Sequence, residues 1–140
     1  MCGGIRAHLR MCGHDTVYAL DRGIETDEGL LALGSDEERT IVSRDRELVA
    51  RAEDAILLES TDVNGQLATV AAAGIDLQLP DEPTRCGNCN GRLDRVEPDE
   101  AAPSDVPDPG EEDVWQCRDC GQHFWKGSHW ECVAATLPDR

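Results

Sequence analysis

The chain has 140 residues, which suffices for one ordinary domain or for a small domain joined to a metal-binding module. Asp and Glu number 29 against 13 Lys and Arg, so the net charge is −16, and Lys126 is the only lysine. No apolar run is long enough to span a membrane, and the first residues lack the apolar stretch of a signal peptide. These features argue against a membrane protein and predict a cytoplasmic one.

The acidic charge, with arginine in place of lysine, is typical of a protein from a salt-rich cytoplasm and does not indicate a basic partner. It disfavours nucleic acid at low salt, because phosphates would be repelled. At about 1 M salt the Debye length falls to about 3 Å, and the net repulsion largely vanishes. The overall charge therefore disfavours a nucleic-acid partner without excluding it.

Short apolar runs alternate with helical patterns in the first part of the chain. The predicted helices are residues 3–12, 26–33, 45–52 and 64–73. The predicted strands are residues 15–20, 40–43, 55–59 and 75–79. We expect Gly13 and Gly74 to end the first and last helices, and Thr26 and Asp45 to cap the second and third. The alternation predicts a parallel sheet flanked by helices.

Several acids lie just beyond the predicted strand ends. Asp45 and Asp62 follow the second and third predicted strands, and Asp27 and Glu28 begin a helix. Ligands bind beyond the carboxyl ends of parallel strands, so these carboxylates could converge on a magnesium or manganese ion that activates water. Each has a structural alternative: Asp45 as a helix N-cap, Asp62 as a turn residue, and the other two as acids favourable at a helix start.

The residues near these acids in sequence give weaker indications of function. Arg44 and Arg46 flank Asp45 and could contact phosphate, although surface ion pairs account for them equally well. Asp15 is interpreted as structural. The sequence contains no phosphate-binding glycine motif, and no histidine lies near the serines that follow the strands. Nucleotide binding through such a motif and a serine hydrolase triad are therefore not indicated.

Two CxxC pairs in the C-terminal third are the strongest motif. Their members are Cys86, Cys89, Cys117 and Cys120. Each pair can present two thiolates to one metal ion, so the two pairs predict a structural zinc site, with rubredoxin-like iron as the lesser option. The alternative is two disulfides or idle thiols. The remaining Cys2, Cys12 and Cys132 are expected to be small buried side chains.

The motifs predict two domains. Residues 1–83 are assigned to an α/β domain, and residues 84–140 to a zinc ribbon. Between the cysteine pairs, residues 94–113 contain nine acids, four prolines and a single Arg95. Such a segment cannot bury enough apolar surface to fold, and it is predicted to be a disordered acidic loop.

An aromatic segment, FWKGSHW, covers residues 124–130. Lys126, His129 and Trp130 could contact RNA through charge and base stacking. In the alternative interpretation, the tryptophans pack the zinc module onto the α/β domain. His123 and His129 are not expected to bind zinc, because four cysteines already complete its coordination.

The motifs together resemble a known family. Residues 1–16, MCGGIRAHLRMCGHDT, are similar to the MLGKLARWLRLLGYDT opening of the Mut-seven C-terminal ribonuclease domain family. Residues 43–48, SRDREL, resemble its TRDREL motif, and Gln66-Leu67 stands where that family has a QL helix. Its zinc ribbon and its ending are matched by CGNCNG at 86–91, CRDCG at 117–121 and GSHW at 127–130. The resemblance runs in order over nearly the whole chain.

This resemblance implies a PIN-like fold, an α/β parallel sheet flanked by helices, with a C-terminal zinc ribbon and a metal-dependent ribonuclease activity. Asp45 matches the motif acid, the Asp27-Glu28 pair lies at an acidic stretch, and Asp62 matches more loosely. In the family, a strand ending in an aspartate precedes the opening, whereas this sequence begins at the methionine of the opening. Our hypothesis is that the start codon was assigned too far downstream.

The sequence is therefore compatible with two functions. The first is a ribonuclease that hydrolyses phosphodiester bonds with magnesium or manganese and carries a structural zinc ribbon. The alternative is a non-catalytic zinc-ribbon adaptor that binds RNA or protein. The missing first-strand aspartate favours the adaptor, and the family resemblance favours the ribonuclease.

Overall fold

The computed structural model describes residues 4–138. Contacts divide the chain into two compact units. The ribbon unit consists of residues 4–16 together with Gln78–Leu137, and the α/β unit of Val17–Leu77. The N-terminal helix thus belongs to the same unit as the cysteine pairs, whereas the sequence predicts that residues 1–83 form the α/β domain.

The structure is mixed α/β. Its helices, in chain order, are α1 (Ile5–Met11), α2 (Asp27–Asp36), α3 (Arg46–Arg51), α4 (Val63–Ala72) and α5 (Ser128–Thr136). Its strands are β1 (Ile41–Ser43), β2 (Ala55–Leu57), β3 (Leu93–Arg95), β4 (Val114–Cys117) and β5 (His123–Trp125). A short 3-10 helix covers Ala19–Arg22. Among the described residues, no helix is both long enough and apolar enough to cross a membrane.

Polar side chains set the starts of the helices in the α/β unit. Thr26 accepts a hydrogen bond from the backbone N–H of Gly29 at 3.0 Å, so it caps α2 as predicted. Asp45 caps α3, also as predicted, and Asp62 caps α4. These side chains satisfy N–H groups that a helix leaves without an internal partner. The predicted glycine after α4, Gly74, adopts a φ of +98°, which suits a helix C-terminus.

The sheet of the α/β unit has two strands. β1 and β2 run parallel, with Ile41 opposite Ala55 and Ser43 opposite Leu57. Helix α3 connects them and buries Leu48, which is 3% exposed. The core of this unit consists of Ile41, Leu48, Ile56, Leu58, Leu67, Val70 and Leu77. The prediction of a parallel sheet with flanking helices is confirmed, but the prediction of four strands is wrong.

The contacts of the two segments explain why the predicted strands are absent. Within residues 15–20, the backbone N–H of Thr16 donates to the side chain of Asn90, and a 3-10 helix begins at Ala19. Residues 75–79 span the boundary between the units: Leu77 is buried in the α/β unit, and Leu79 packs in the ribbon unit. In both segments, these contacts replace the sheet pairing that was predicted.

The ribbon unit contains an antiparallel sheet in the order β3-β4-β5. Leu93 lies opposite Cys117, and Trp115 lies opposite Phe124. The central strand buries Val114 completely and leaves Trp115 3% exposed. Asp94 and Arg95, which were predicted to belong to the acidic loop, form part of β3, so the segment without helix or strand begins at residue 96.

Helices α1 and α5 share a small apolar core in the ribbon unit. Met11 and Val133 are buried at its centre, and Leu79, Trp130 and Leu137 pack around them. As predicted, α1 is followed by Gly13, whose φ is +93°. The leftover cysteines differ from the expectation of small buried side chains. Cys12 and Cys132 are half-buried and Cys132 is disulfide-bonded, while Cys2 lies outside the described residues.

Candidate metal centre and acidic sheet edge

The four cysteines of the CxxC pairs come together in the ribbon unit. All four sulfurs lie within 4.8 Å of one another. The sulfurs of Cys86 and Cys120 are 3.7 Å apart, and those of Cys89 and Cys117 are 3.4 Å apart. A tetrahedral zinc ion with Zn–S bonds of about 2.3 Å requires sulfurs about 3.8 Å apart. The cluster therefore has a size and a donor set that fit zinc.

Each CxxC turn directs backbone N–H groups at its first sulfur. Asn88 and Cys89 donate to Cys86 Sγ at 3.3 and 3.4 Å. In the second turn, Asp119 and Cys120 donate to Cys117 Sγ, both at 3.4 Å. Hydrogen bonds from the backbone favour the charged thiolate, which is the form that binds a metal ion.

The residue after each pair has a left-handed backbone. Asn90 has a φ of +72° and Gly121 a φ of +78°. Asparagine and glycine are the residues that adopt this conformation at least cost. Gly91 has a different role, because a Cβ atom there would lie 2.8 Å from Cys117 Sγ and 2.6 Å from an Asp119 oxygen. The close approach of the two turns thus requires a glycine at position 91.

The thiols titrate unequally in the metal-free protein. Burial raises the pKa of Cys86 far above its ordinary value and also raises the pKa of Cys89. Burial acts in the same direction on Cys120, but the backbone N–H of Gln122 and the neighbouring thiols outweigh it and lower the pKa to about 7. Metal binding must therefore displace protons, and the affinity must fall as the solution is acidified.

In the α/β unit, Asp45 and Asp62 follow the two parallel strands at their carboxyl ends. Asp45 Oδ1 accepts hydrogen bonds from Glu47 N at 3.0 Å and Leu48 N at 3.2 Å. Asp62 Oδ2 accepts one from Gly65 N at 3.2 Å. Both side chains are exposed. The N-cap interpretation of Asp45 is confirmed, and Asp62 caps a helix as well.

The other two candidate acids lie in the first turn of α2. Glu28 is exposed and approaches Arg51 at 3.5 Å. A backbone hydrogen bond and then the Arg51 guanidinium lower the pKa of this carboxyl group. Asp27 is half-buried. Within residues 4–138, the cysteines form the only group of three or more potential metal ligands with closely spaced atoms, so the four acids do not gather into such a group.

The two candidate phosphate-binding arginines differ. Arg44 is exposed, while Arg46 lies 3.9 Å from Glu59 with both side chains largely in solvent. An exposed pair of this kind contributes little to stability. Exchange of this ion pair for a contact with phosphate would therefore cost Arg46 little free energy. Both arginines stay candidates for contact with phosphate.

Trp130 has a structural role in the ribbon unit. It packs against the Met11–Val133 core, and Lys126 Nζ lies 5.3 Å from the centroid of its ring. A base that stacks on the side of the ring facing Lys126 would have to displace that side chain. His129 is exposed. Contact of these residues with RNA stays a prediction.

Arg10, which lies in α1 and is only 2% exposed, was not predicted from the sequence to belong to the site. Its guanidinium reaches the turn between Cys86 and Cys89, which is more than 70 residues away in sequence. Asp15, interpreted as structural, accepts a hydrogen bond from Asn90 at 2.6 Å, and this interpretation is confirmed. An arginine among apolar helix positions is a weak signal by itself, because most arginines are exposed.

Comparison with known proteins gives one result. Neither the curated proteins nor the solved structures contain a match to the chain. A family model described as the Mut7-C RNAse domain matches residues 1–137. The match covers the α/β unit and both cysteine pairs. The chain therefore belongs to the Mut7-C RNAse domain family.

Proposed function

We propose that the protein is a ribonuclease that hydrolyses RNA phosphodiester bonds and that zinc holds its ribbon unit together. The observation that carries the proposal is the match of a ribonuclease family over residues 1–137. The sulfur cluster supports zinc through its size and its four thiolate donors.

The carboxyl edge of β1 and β2 supports a cleavage site in the α/β unit. Asp45 and Asp62 leave this edge from neighbouring parallel strands, and both are exposed. Both hydrogen bonds of the Asp45 carboxylate end on Oδ1, so its second oxygen can serve a ligand without loss of the helix cap. Arg44 and Arg46 add positive charge beside it. Asp45 is the residue we assign first to RNA cleavage.

Magnesium or manganese is proposed as the cation of this site, because carboxylate oxygens are the ligands these ions prefer. Asp27, Glu28 and Asp62 are its further candidate ligands. The four acids do not form a close ligand group among the described residues, so no reaction step is assigned to the ion. Metal dependence is part of the test.

The test is cleavage of an unstructured, end-labelled RNA by the purified chain with manganese, magnesium or EDTA. Assays at low salt and at about 1 M salt separate lack of activity from charge repulsion. Asp45→Asn should abolish cleavage while the fold survives, because asparagine caps helices as well as aspartate does. Asp36→Asn removes the same charge from the end of α2 and serves as the control.

One result would contradict the proposed activity, and another would contradict the assignment of Asp45 to it. Wild-type protein that leaves RNA intact with either metal and at either salt concentration is not a ribonuclease of this kind. Cleavage by Asp45→Asn at the wild-type rate would leave the activity possible but would remove Asp45 from the site.

The second candidate, an adaptor without catalysis, is favoured by the failure of the acids to gather into a ligand group. It predicts RNA or protein binding that survives Asp45→Asn. Trp130→Ala is an ambiguous probe of such binding, because Trp130 also packs the ribbon core. Lys126→Gln and His129→Gln change exposed side chains and are the better probes. RNA binding that neither of these substitutions weakens would exclude this surface.

A further inference from the structure

Arg10 connects α1 to the first cysteine turn of the ribbon unit. Its side chain is 2% exposed. Its Nη1 donates to the carbonyl oxygens of Gly87 and Asn88, each at 3.2 Å. These are the two residues between the ligands Cys86 and Cys89. Its Nε donates to Thr16 O at 2.9 Å, which fixes the chain after α1 to the same guanidinium.

A second set of contacts joins the same two segments. The N–H of Thr16 donates to Asn90 Oδ1 at 2.8 Å. Asn90 Nδ2 donates to Asp15 Oδ1 at 2.6 Å, and Arg85 Nη1 lies 3.9 Å from the same oxygen. Asn90 directly follows Cys89. The first cysteine turn is thus held on both sides by residues 10–16.

We propose that Arg10, Asp15 and Thr16, named here the N-terminal clamp, are positioning residues for the metal. The clamp holds the Cys86–Cys89 turn in the shape that binds the ion, so metal affinity depends on the docking of the α1 segment. This inference rests on the proposal that the cluster binds zinc, and it concerns a part of the chain remote in sequence from every ligand.

The hydrogen bonds of Arg10 preorganise the Cys86–Cys89 turn. Carbonyl groups that accept hydrogen bonds from a buried guanidinium have lost most of their freedom before the metal arrives. The ordering cost that the free turn would otherwise incur on binding is therefore reduced. Partners that orient metal ligands in this way commonly change metal affinity by about 10- to 100-fold when they are removed.

The positive charge of Arg10 also favours the metal-bound cluster. Four thiolates around a zinc ion carry a net double negative charge, and a cation in low-dielectric surroundings stabilises it. The buried Arg10 places that cation beside the first turn. In the second turn, the side chain of Arg118 is 61% exposed, so solvent screens its charge.

The coupling must act in both directions. If docking of the clamp raises the affinity for zinc, bound zinc stabilises the docked clamp by the same factor. Removal of zinc should therefore loosen α1 in the intact chain. This consequence can be measured without any substitution.

The first experiment measures zinc affinity of the full-length chain by competition with a chromophoric chelator. Arg10→Gln should weaken zinc binding by about tenfold or more. Arg10→Lys, which keeps the charge but loses the forked geometry, should recover part of that loss. Arg118→Gln removes the same charge from the other turn and should stay within about twofold of wild type.

A second variant tests the clamp independently, in case an Arg10 substitution prevents folding. Asn90→Gly removes the amide that binds Asp15 and Thr16, while glycine accepts the φ of +72° more readily than asparagine does. A purely local role for Asn90 therefore predicts unchanged or tighter zinc binding. The clamp predicts weaker binding and faster amide hydrogen exchange in α1, the same change that a chelator should cause in the wild type.

The outcomes separate the two proposals. Wild type that binds no zinc would overturn the zinc assignment and the clamp with it. Wild type that binds zinc, with Arg10→Gln and Asn90→Gly both within about twofold and with α1 exchange unaffected by the chelator, would overturn the clamp alone. Equal losses in Arg10→Gln and Arg118→Gln would reduce the effect to net charge and would also overturn it.

Discussion

The cysteine cluster and the acids of the sheet edge use their ligand atoms in different ways. In the cluster, all four sulfurs lie within 4.8 Å of one another, and backbone N–H groups point at two of them. Asp45 and Asp62 instead give carboxylate oxygens to N–H groups at the starts of their own helices. The cysteine sulfurs thus surround one position that an ion can occupy, whereas each carboxylate caps the helix that follows it.

This difference follows from how each set of ligands is assembled. A CxxC turn brings two ligands together within four residues, so only one tertiary approach is needed to complete the set. The acids come from three separate helix starts and would need two such approaches. A substitution in the cluster should therefore disturb a whole unit, and a substitution at the edge should disturb one helix end.

The largest expected effect is that of Cys89→Ser. Loss of one thiolate should abolish stoichiometric zinc and loosen the ribbon unit, because structural zinc contributes about 10–16 kcal/mol in zinc-finger peptides. Metal analysis and hydrogen exchange of the purified chain measure both consequences. Cys12→Ser, outside the cluster, should keep its zinc. A full equivalent of tightly bound zinc in Cys89→Ser would contradict the four-cysteine site.

Gly91→Ala should have the next largest effect. Its Cβ would lie 2.8 Å from Cys117 Sγ, and overpacking of this kind costs about 1–3 kcal/mol. We expect weaker zinc binding and a lower melting temperature. Gly4→Ala is the matched control, because its Cβ would meet nothing within 4 Å. Equal behaviour of the two variants would show that the turns can separate without loss of the site.

Acidification should weaken zinc binding by the cysteine cluster without any substitution. Burial raises the pKa of Cys86 and Cys89, so both thiols carry protons at neutral pH in the metal-free protein and these protons compete with zinc. Zinc affinity should therefore rise with pH between about pH 6 and pH 8. Above the ordinary thiol pKa, Cys86 and Cys89 should give the stability of the metal-free protein the opposite pH dependence. Its raised thiol pKa values favour folding below the ordinary thiol pKa, and that contribution is lost as the pH rises above it.

Zinc titration and thermal unfolding at several pH values test both signs. The opposing shift of Cys120, whose pKa falls to about 7, acts at lower pH: it should make the metal-free protein more stable as the pH rises from about 7 to the ordinary thiol pKa, whereas the raised pKa values of Cys86 and Cys89 lower its stability above that value. Zinc affinity that is constant across this range would indicate ligands other than thiols.

The predictability of the two sites from sequence differs for the same reason. CxxC spacing and the caps at Thr26 and Asp45 are local, and the structure confirms them. The unit to which a segment belongs depends instead on contacts with residues far away in sequence. Residues 15–20 have the composition of a strand, but Thr16 donates its N–H to Asn90, and no periodicity within the segment reveals that partner. The burial of Arg10 depends on two carbonyls that become acceptors only once the cysteine turn has formed.

The smallest effect on stability is expected for Asp45→Asn, and this makes it the sharpest test of the sheet edge. Asparagine can accept the hydrogen bonds from Glu47 and Leu48, so chemical unfolding should match the wild type, whereas Asp45→Ala should lose about 0.5–2 kcal/mol. If Asp45 is only a cap, Asn restores everything that Ala loses. If Asp45 also serves RNA cleavage, Asn restores stability and leaves activity absent. A destabilised Asp45→Asn variant would instead mean that the negative charge itself supports the fold.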